Sequence, residues 1–512
     1  MAGPRVSRDL STLTRWESDW KGLRVVVAGL GLSGFAAADT LIELGAQVLV
    51  IDGGDTEKNR ERAETLKIVG ALDVRLGEEH TAALPDVAGE RPELVVVSPA
   101  WRPSHPVLAQ AAAEGTPIWS EIELAWRVRE REGRPTAQWL CITGTNGKTT
   151  TTIMTAEILR RAGLRADACG NIGTPVLDLV RDPIGFDAFA VELSSFQLEF
   201  THSIEPLASV VLNLAEDHVD WHGSFEEYAA AKAKIYERTR VAAIFNAEDA
   251  STLHMVEEAD VQEGCRAIGF TTSTPGLSML GVVEDLLVDR AYIEERRTSA
   301  AELASLADLG DPAPHHTVAN ALAAAALTRA AGVPAVAVRE GLRHYDRGEH
   351  RIQPIAQFLG ARWINDSKAT NPHAADASLS AFPSVVWIAG GLAKGVEYDE
   401  LIQRHAHHLR GVVLIGTDDD ALVAALGRHA PDVPVIDTAV GDHGTEASAS
   451  KEELGAAVMR AAVAAAASLV KDGDTVLMAP AAASMDQFVS YAHRGTAFAQ
   501  AVLALQEEHG QD

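Results

Sequence analysis

Residues 140–150 have the residue types and order of a phosphate-binding loop. An apolar run at 140–143 is followed by a glycine-rich segment and then by a helical stretch. Successive backbone N–H groups and a helix N-terminus together form an anion cradle. Lys148 would bridge the terminal phosphates, and the Thr149 hydroxyl would bind Mg²⁺. Ile142 occupies the position where the usual pattern has its first glycine, so the loop is a shortened variant. The candidate nucleotide contacts are Gly144, Thr145, Asn146, Gly147, Lys148, Thr149 and Thr150.

Polar side chains follow the neighbouring apolar runs. Glu192 ends the run at 188–191, and His218 follows the run at 209–213. Asn171 lies in the segment Cys-Gly-Asn-Ile-Gly. Because open α/β sheets bind ligands at the carboxyl ends of their strands, all three side chains are expected at the edge that holds the phosphate loop. Glu192 would share Mg²⁺ with Thr149. The alternatives are a solvated strand end for Glu192 and a solvent-facing loop histidine for His218.

A second glycine-rich turn lies near the N-terminus. The sequence Gly29-Leu30-Gly31-Leu32-Ser33-Gly34 follows the run at 25–28, and Asp52 ends the next run. This order is typical of a fold that binds a dinucleotide diphosphate. Two interpretations stay open at this point, an NAD site and a Rossmann-like domain for another ligand. Since no nicotinamide chemistry is evident elsewhere, we favour another diphosphate-bearing ligand.

The elements that must position these residues indicate an α/β protein throughout. Short apolar runs alternate with alanine-rich helical stretches, as in doubly wound parallel sheets. At about 150 residues per domain, 512 residues suggest about three domains. We predict a Rossmann-like domain at 1–134, a central phosphate-loop ATPase domain with a parallel sheet at 135–346, and a C-terminal Rossmann-like domain at 347–512. Residues 294–314 and 437–453 are expected to form loops.

Composition limits the possible partners. Lys and Arg total 44 against 72 Asp and Glu, which gives a formal net charge of −28. Such an acidic surface disfavours binding to nucleic acid or to anionic membranes. The three cysteines are too few and too scattered for a disulfide framework. No apolar run is long enough for a signal peptide or a membrane span. We expect a cytoplasmic protein that is a monomer.

Four segments together resemble the Mur ligases, which are ATP-dependent amide-bond synthases of peptidoglycan precursor assembly. They are Thr-Gly-Thr-Asn-Gly-Lys-Thr-Thr, Gly-Asn-Ile-Gly, Glu-Leu-Ser-Ser-Phe-Gln and Asp-His-Val-Asp. The runs at 365–371 and 484–488 are similar to those of members that add D-glutamate to UDP-N-acetylmuramoyl-L-alanine. The resemblance extends from about Gly22 to the C-terminus. It implies three α/β domains and a reaction through an acyl phosphate.

The resemblance also assigns roles at a two-metal site. Thr149 and Glu192 are similar to ligands of one Mg²⁺, and His218 to a ligand of a second. Lys232 aligns with a lysine that the family carbamylates, and Lys148, His218 and Lys232 would be the catalytic residues. A carbamate is an anionic oxygen ligand, whereas an ammonium would repel the metal. Without the resemblance, Lys232 would be interpreted as a solvated helix-face lysine, which is what Lys234 should be.

The remaining roles concern the three substrates. The resemblance implies ATP contacts at Asn320, Arg351 and Asp366. It implies nucleotide-sugar contacts at Leu32, Ser33 and Asn171, and D-glutamate contacts at Lys368, Thr370, Lys394 and Ser484. Ser-Met-Asp-Gln at 484–487 is also the pattern of a helix-capping box.

Three alternatives stay open. A related ligase could use L-glutamate or another amino acid. A phosphate-loop ATPase switch would hydrolyse ATP without an acceptor, although it assigns no role to the run at 365–371. An NAD-dependent oxidoreductase would instead use the turn at 29–34.

Overall fold

The computed structural model describes residues 8–310, 313–346, 348–393, 395–438 and 450–509. These residues form three α/β sheets, which confirms the predicted fold class. They divide into two compact units, one of residues 8–310 and 317–345 and one of residues 313–316 and 346–509. The two predicted domain boundaries, near residues 134 and 347, stay predictions. No helix among the described residues is long and apolar enough to cross a membrane.

The first sheet of the larger unit is parallel, with strand order β3-β2-β1-β4-β5. Its central strands β2, β1 and β4 are almost wholly buried, as expected for strands covered by helices on both faces. Its strands and helices are β1 (Arg24–Ala28), α1 (Leu32–Glu43), β2 (Gln47–Asp52), α2 (Glu57–Val69), β3 (Asp73–Leu76), β4 (Leu94–Val97), α3 (Pro106–Glu114), β5 (Ile118–Ser120) and α4 (Glu121–Val128).

The second sheet has nine strands in the order β14-β13-β12-β11-β10-β9-β6-β8-β7. The seven strands from β12 to β7 are parallel, and β13 and β14 extend the edge as antiparallel strands. The strands are β6 (Gln138–Thr143), β7 (Ala166–Gly170), β8 (Ala188–Glu192), β9 (Ala208–Val211), β10 (Ala242–Asn246), β11 (Arg266–Phe270), β12 (Met279–Val283), β13 (Leu286–Asp289) and β14 (Ala301–Ser305).

The helices that accompany the second sheet include the one after the phosphate loop. They are α5 (Lys148–Arg161), α6 (Val176–Val180), α7 (Ser195–Glu199), α8 (Val219–His222), α9 (Phe225–Ala233), α10 (Ala250–Glu258), α11 (His315–Ala330) and α12 (Ala335–His344). One hydrophobic core contains residues of both sheets of this unit. Within it, the rings of Trp126 and Trp139 meet edge to face with centroids 5.2 Å apart. The first and second sheets therefore share a packed interior.

The smaller unit has a six-stranded sheet in the order β15-β16-β20-β17-β18-β19, parallel except for the antiparallel pair β15–β16. Helices packed on it enclose separate cores on its two faces. Its elements are β15 (Gln353–Phe358), β16 (Ala361–Asn365), α13 (Pro372–Leu379), β17 (Val385–Ala389), α14 (Asp399–His405), β18 (Leu409–Leu414), α15 (Asp420–His429), β19 (Val435–Asp437), α16 (Lys451–Leu469), β20 (Thr475–Met478) and α17 (Tyr491–His509).

The loop expected at 294–314 was wrong in part, because it contains β14 and a short 3-10 helix, Leu306–Leu309. Most of the loop expected at 437–453 lies outside the described residues. The other 3-10 helices are Leu10–Thr12, Glu78–His80, Lys234–Tyr236 and Ala406–His408.

Candidate active site

The glycine-rich segment connects buried β6 to the first turn of α5. Gly144 and Gly147 have φ angles of 149° and 84°, a region that favours glycine. A Cβ atom on Gly147 would overlap the amide oxygen of Asn320, so α11 lies directly against the loop. The Nζ atom of Lys148 donates to the carbonyl oxygens of Gly144 and Thr145, at 2.9 and 2.8 Å. The ammonium group thus lies across the loop, at the mouth of the predicted phosphate cradle.

Two side chains that the sequence analysis missed hold this loop in shape. Asn213 accepts a hydrogen bond from the Asn146 backbone N–H at 2.9 Å and donates one to the Asn146 carbonyl at 3.1 Å. The Tyr228 hydroxyl lies 3.0 Å from the Thr145 hydroxyl. Asn213 follows β9, the strand beside β6, so an amide at the end of a neighbouring strand was the available signal.

Glu192 ends β8 beside the loop, and its side chain is buried. Asn171 donates its amide N–H to Oε1 of Glu192 at 2.9 Å, while Oε2 is buried without a hydrogen-bond partner among the described residues. A buried carboxylate oxygen without a donor is costly unless a cation or ligand compensates it. Thr149, whose hydroxyl is the other predicted ligand, is the second residue of α5. An oxygen donor set of this kind fits Mg²⁺.

Lys232 is a buried lysine, not the solvated one of the alternative interpretation, and only 2% of it is exposed. Its Nζ donates to the Gly144 carbonyl at 2.9 Å and lies 4.7 Å from the centre of the Tyr228 ring. Burial and the nearby Lys148 ammonium hold the Lys232 pKa well below its ordinary value. Lys234 instead pairs with Glu199 at 2.7 Å and is partly exposed. The two lysines therefore have different environments, because Lys232 is buried without a carboxylate partner within hydrogen-bond distance among the described residues, whereas Lys234 forms an ion pair.

His218 is the N-terminal flanking residue of α8, with a positive φ of 53°. Its ring is 4.9 Å from that of Phe196, and its Nε2 lies 3.5 Å from a carboxylate oxygen of Asp217. The His218 side chain is 48% exposed, so it is partly solvent-facing, and its partial burial together with the charges of Lys232 and Lys148 lowers its pKa. A lowered pKa favours the neutral imidazole, which is the form that binds metals. Among the described residues, no three His, Cys, Asp or Glu side chains form a metal-binding group by themselves.

The first-sheet turn at 29–34 leads into α1, with Leu32 63% exposed and Ser33 half-buried. Asp52 accepts the backbone N–H of Leu30 at 2.6 Å through one oxygen and that of Gly54 at 2.7 Å through the other. Both oxygens therefore hold the turn together. In an NAD site, the carboxylate at this position would instead accept hydrogen bonds from ribose hydroxyls.

Asp366 follows β16 in the smaller unit and is buried. It accepts hydrogen bonds from the Ser378 hydroxyl and from the Ile352 backbone N–H. Burial raises the pKa of Asp366 to about 6, although these hydrogen bonds and Arg351 oppose the rise. Arg351 is half-buried.

The other predicted contacts of the smaller unit lie on neighbouring loops. The Lys368 ammonium is 3.8 Å from the centre of the Tyr491 ring, and Thr370 donates its backbone N–H to the Lys368 carbonyl. Ser484 is buried in a turn and does not begin a helix, so the capping-box interpretation was wrong. The Gln487 side chain accepts the Gly416 backbone N–H at 2.7 Å instead. Lys394 lies outside the described residues.

Arg494, which the sequence analysis missed, joins these loops. Its guanidinium is wholly buried and donates to Ser367 Oγ at 3.0 Å and to the Ala482 carbonyl at 3.2 Å. Burial lowers its pKa to about 9. Arg494 is the fourth residue of α17, and an arginine at the start of an ordinary helical sequence gives no distinctive signal that it will be buried.

The larger unit thus brings together the phosphate loop, Asn320, Asn171, Glu192, His218 and Lys232, and it also carries Leu32 and Ser33. The smaller unit carries Arg351, Asp366, Lys368, Thr370 and Ser484. The predicted ATP contacts are accordingly divided, with Asn320 in the larger unit and Arg351 and Asp366 in the smaller one.

A phosphate loop, a glycine turn and a C-terminal α/β unit are the parts of an ATP-dependent ligase, and the chain belongs to the Mur ligase family. Family models match at residues 23–120 (Mur ligase MurD-like, N-terminal domain), 142–328 (Mur ligase middle domain) and 350–482 (Mur ligase, glutamate ligase domain). The chain is 51% identical over 505 residues to a UDP-N-acetylmuramoylalanine–D-glutamate ligase of Leifsonia xyli, covering 96% of this chain and 95% of that protein. It is 53% identical over 488 residues to the protein of the same name from Streptomyces avermitilis, covering 95% and 99%.

Solved structures support the same fold. MurF from Acinetobacter baumannii aligns with a TM-score of 0.54 at 18% identity, covering 85% of this chain and 87% of that one. A pseudomurein peptide ligase type C from Methanothermus fervidus aligns with a TM-score of 0.52 at 18% identity, covering 89% and 96%. At this identity the likeness concerns the fold alone.

Proposed function

We propose that this protein is an ATP-dependent amide ligase that joins D-glutamate to UDP-N-acetylmuramoyl-L-alanine during peptidoglycan precursor assembly. The observation that carries the proposal is the convergence of Lys148, Glu192 and Lys232 on one phosphate loop. The relatives at about half identity bear the name of this reaction and match nearly the whole chain. A cytoplasmic monomer is part of the same proposal.

The chemistry brings two anions together. The carboxylate of the L-alanyl group attacks the γ-phosphate of ATP, which gives an acyl phosphate and ADP. The amine of D-glutamate then attacks the acyl carbon, phosphate leaves, and the amine loses a proton. Lys148 contributes positive charge at the γ-phosphate, and it must exchange its two loop carbonyls for phosphate oxygens to do so.

Mg²⁺ supplies Lewis-acid charge neutralisation at the phosphates when it is bound. In our proposal Thr149 and Glu192 hold one ion, and His218 with carbamylated Lys232 holds a second. The depressed pKa of Lys232 supports carbamylation, because only a neutral amine attacks CO₂. The nitrogen forms a bond to the carbon of CO₂, and the proton of the amine goes to water. The product is an anionic oxygen donor in place of an ammonium.

The other residues bind and orient the substrates. Gly144, Thr145, Asn146, Gly147 and Thr150 line the phosphates, and Asn320, Arg351 and Asp366 contact ATP. Leu32, Ser33 and Asn171 contact the nucleotide sugar. Lys368, Thr370, Lys394 and Ser484 hold the carboxylates of D-glutamate.

Phosphate release from ATP tests the function. We expect release only when UDP-N-acetylmuramoyl-L-alanine and D-glutamate are both present, with the amide product in equal amount. L-Glutamate in place of the D-enantiomer is the control for stereochemistry. Lys148→Ala should abolish turnover because the γ-phosphate loses its cation. Release with neither acceptor present would instead indicate an ATPase switch, and an active Lys148→Ala variant would contradict the phosphate assignment.

A further inference from the structure

Glu121 is a buried acidic residue that the ligase chemistry described above does not use. It is the first residue of α4, and only 3% of it is exposed. The start of α4 does not require it, because Ser120 already accepts the Glu123 backbone N–H at 3.1 Å. Burial raises the pKa of Glu121, and the hydrogen bond from Gln197 only partly offsets the rise. A buried carboxyl group kept at such a cost suggests a specific role.

One oxygen of Glu121 connects to the segment that carries Glu192. Its Oε1 accepts the Gln197 amide N–H at 2.7 Å. The side-chain oxygen of Gln197, Oε1, in turn accepts the backbone N–H of Ser194 at 2.8 Å and the Ser194 hydroxyl at 2.9 Å. Ser194 lies two residues after Glu192, so these bonds fix the backbone that leaves the predicted metal carboxylate.

The carboxyl group of Glu121 also lies beside the glycine turn. Oε2 of Glu121 is buried without a hydrogen bond of ordinary geometry from the described residues. The Ser33 side chain lies beside the carboxyl group, close enough to lower its pKa slightly. Glu121 therefore stands between the turn of the first sheet and the Glu192 segment of the second.

We propose that Glu121 is a positioning residue that sets the spacing between the nucleotide-sugar turn at Ser33 and the Glu192 strand end through Gln197. The inference rests on the proposed function. In the proposed function, the nucleotide sugar that carries the carboxylate to be phosphorylated binds at the turn. The phosphates of ATP bind beside Glu192. Because reacting atoms must meet within a fraction of an ångström, an error in this spacing weakens both sites together.

The same turn of helix offers a matched control. Glu123 is also buried, yet it accepts hydrogen bonds from the backbones of His202 and Ser203, from the Ser203 hydroxyl and from Arg127. Burial tends to raise its pKa, but these bonds outweigh burial and the pKa is lowered. Glu123 thus has its partners within the folded chain, and its side-chain hydrogen bonds among the described residues go to His202, Ser203 and Arg127 rather than to the turn or Gln197.

Steady-state kinetics of the full chain tests the inference. Glu121→Ala should raise both the KM for UDP-N-acetylmuramoyl-L-alanine and the Mg²⁺ concentration for half-maximal activity, on the order of 10- to 100-fold. Glu121→Gln keeps an oxygen for Gln197 and should restore both to within a few fold. Gln197→Ala should raise the Mg²⁺ requirement, and Glu121→Ala added to it should have little further effect. Glu123→Gln should lower Tm and leave both constants near those of the wild type.

The possible failures are distinguishable. A wild-type chain without turnover on the two acceptors would overturn the proposed function. With an active wild type, a Glu121→Ala variant that loses Tm but keeps both constants would overturn the inference alone. So would additive effects of Glu121→Ala and Gln197→Ala on the Mg²⁺ requirement.

Discussion

At the scale of single residues, two side chains of the same type that lie close together in the sequence can have very different environments in the structure. Lys232 and Lys234 are two positions apart, and Glu121 and Glu123 are likewise two apart. In each pair one side chain has a paired partner within the chain, whereas the other is buried against polar groups that leave its charge uncompensated. Since uncompensated burial is expensive, the second member of each pair is the better functional candidate.

The carbamate is the prediction that belongs to this scale. With ¹³C-labelled bicarbonate, we expect a carbamate carbon signal in the NMR spectrum of the wild type, because the Lys232 amine is buried and its pKa is low. The signal should vanish in Lys232→Ala and persist in Lys234→Ala, whose lysine is ion-paired with Glu199. A signal that survives in Lys232→Ala, or is lost only in Lys234→Ala, would show that Lys232 is not the modified residue.

At the scale of elements, the strand–loop–helix unit of β6 and α5 depends on glycine for two separate reasons. Gly147 combines a positive φ with the lack of space for a Cβ atom against Asn320. Gly163, at the other end of α5, has a φ of 87° but nothing within 4 Å of a built Cβ atom. Alanine at Gly163 would therefore meet backbone strain alone, whereas alanine at Gly147 would meet both backbone strain and a steric clash.

Alanine at each glycine tests this distinction. Gly163→Ala should cost about 1 to 2 kcal/mol of stability from strain alone and leave ATP binding unchanged. Gly147→Ala should displace Asn320 as well, and we expect an ATP affinity at least about tenfold weaker. Calorimetric titration with ATP and thermal unfolding of both variants provide the two measurements. Equal losses of ATP affinity in the two variants would contradict the assignment of Asn320 to the nucleotide site.

The elements also show which parts of the fold and the site can be predicted from local sequence patterns. The phosphate loop was predictable because its glycines, lysine and helix are contiguous in the chain. Asn213 and Tyr228 were missed because their contacts with the loop depend on β9 lying beside β6 and on the packing of α9. β14 was missed for a related reason, since its five residues, Ala-Glu-Leu-Ala-Ser, form a strand only by pairing with β13.

At the scale of the whole molecule, an acidic chain concentrates cationic groups where anionic substrates are expected. The formal net charge is −28, yet Lys148 and Lys232 flank one loop of the larger unit, and Lys368 and Arg494 lie on adjoining segments of the smaller one. A net negative charge in general favours solubility and disfavours unspecific binding of polyanions. These few cationic groups are therefore the ones expected to select the anionic substrates.

Separate hydrophobic cores lead to a prediction about unfolding. Phe189 is buried in a core of the larger unit and Phe498 in a core of the smaller one. Because chains of several domains commonly unfold in steps, we expect two calorimetric transitions. Phe498→Ala should cost about 3 to 5 kcal/mol and lower one transition by on the order of 10 °C, while Phe189→Ala should lower the other. ATP should raise the transition that Phe189→Ala lowers, since the phosphate loop belongs to that unit. A single transition lowered by both variants would show instead that the two units unfold cooperatively.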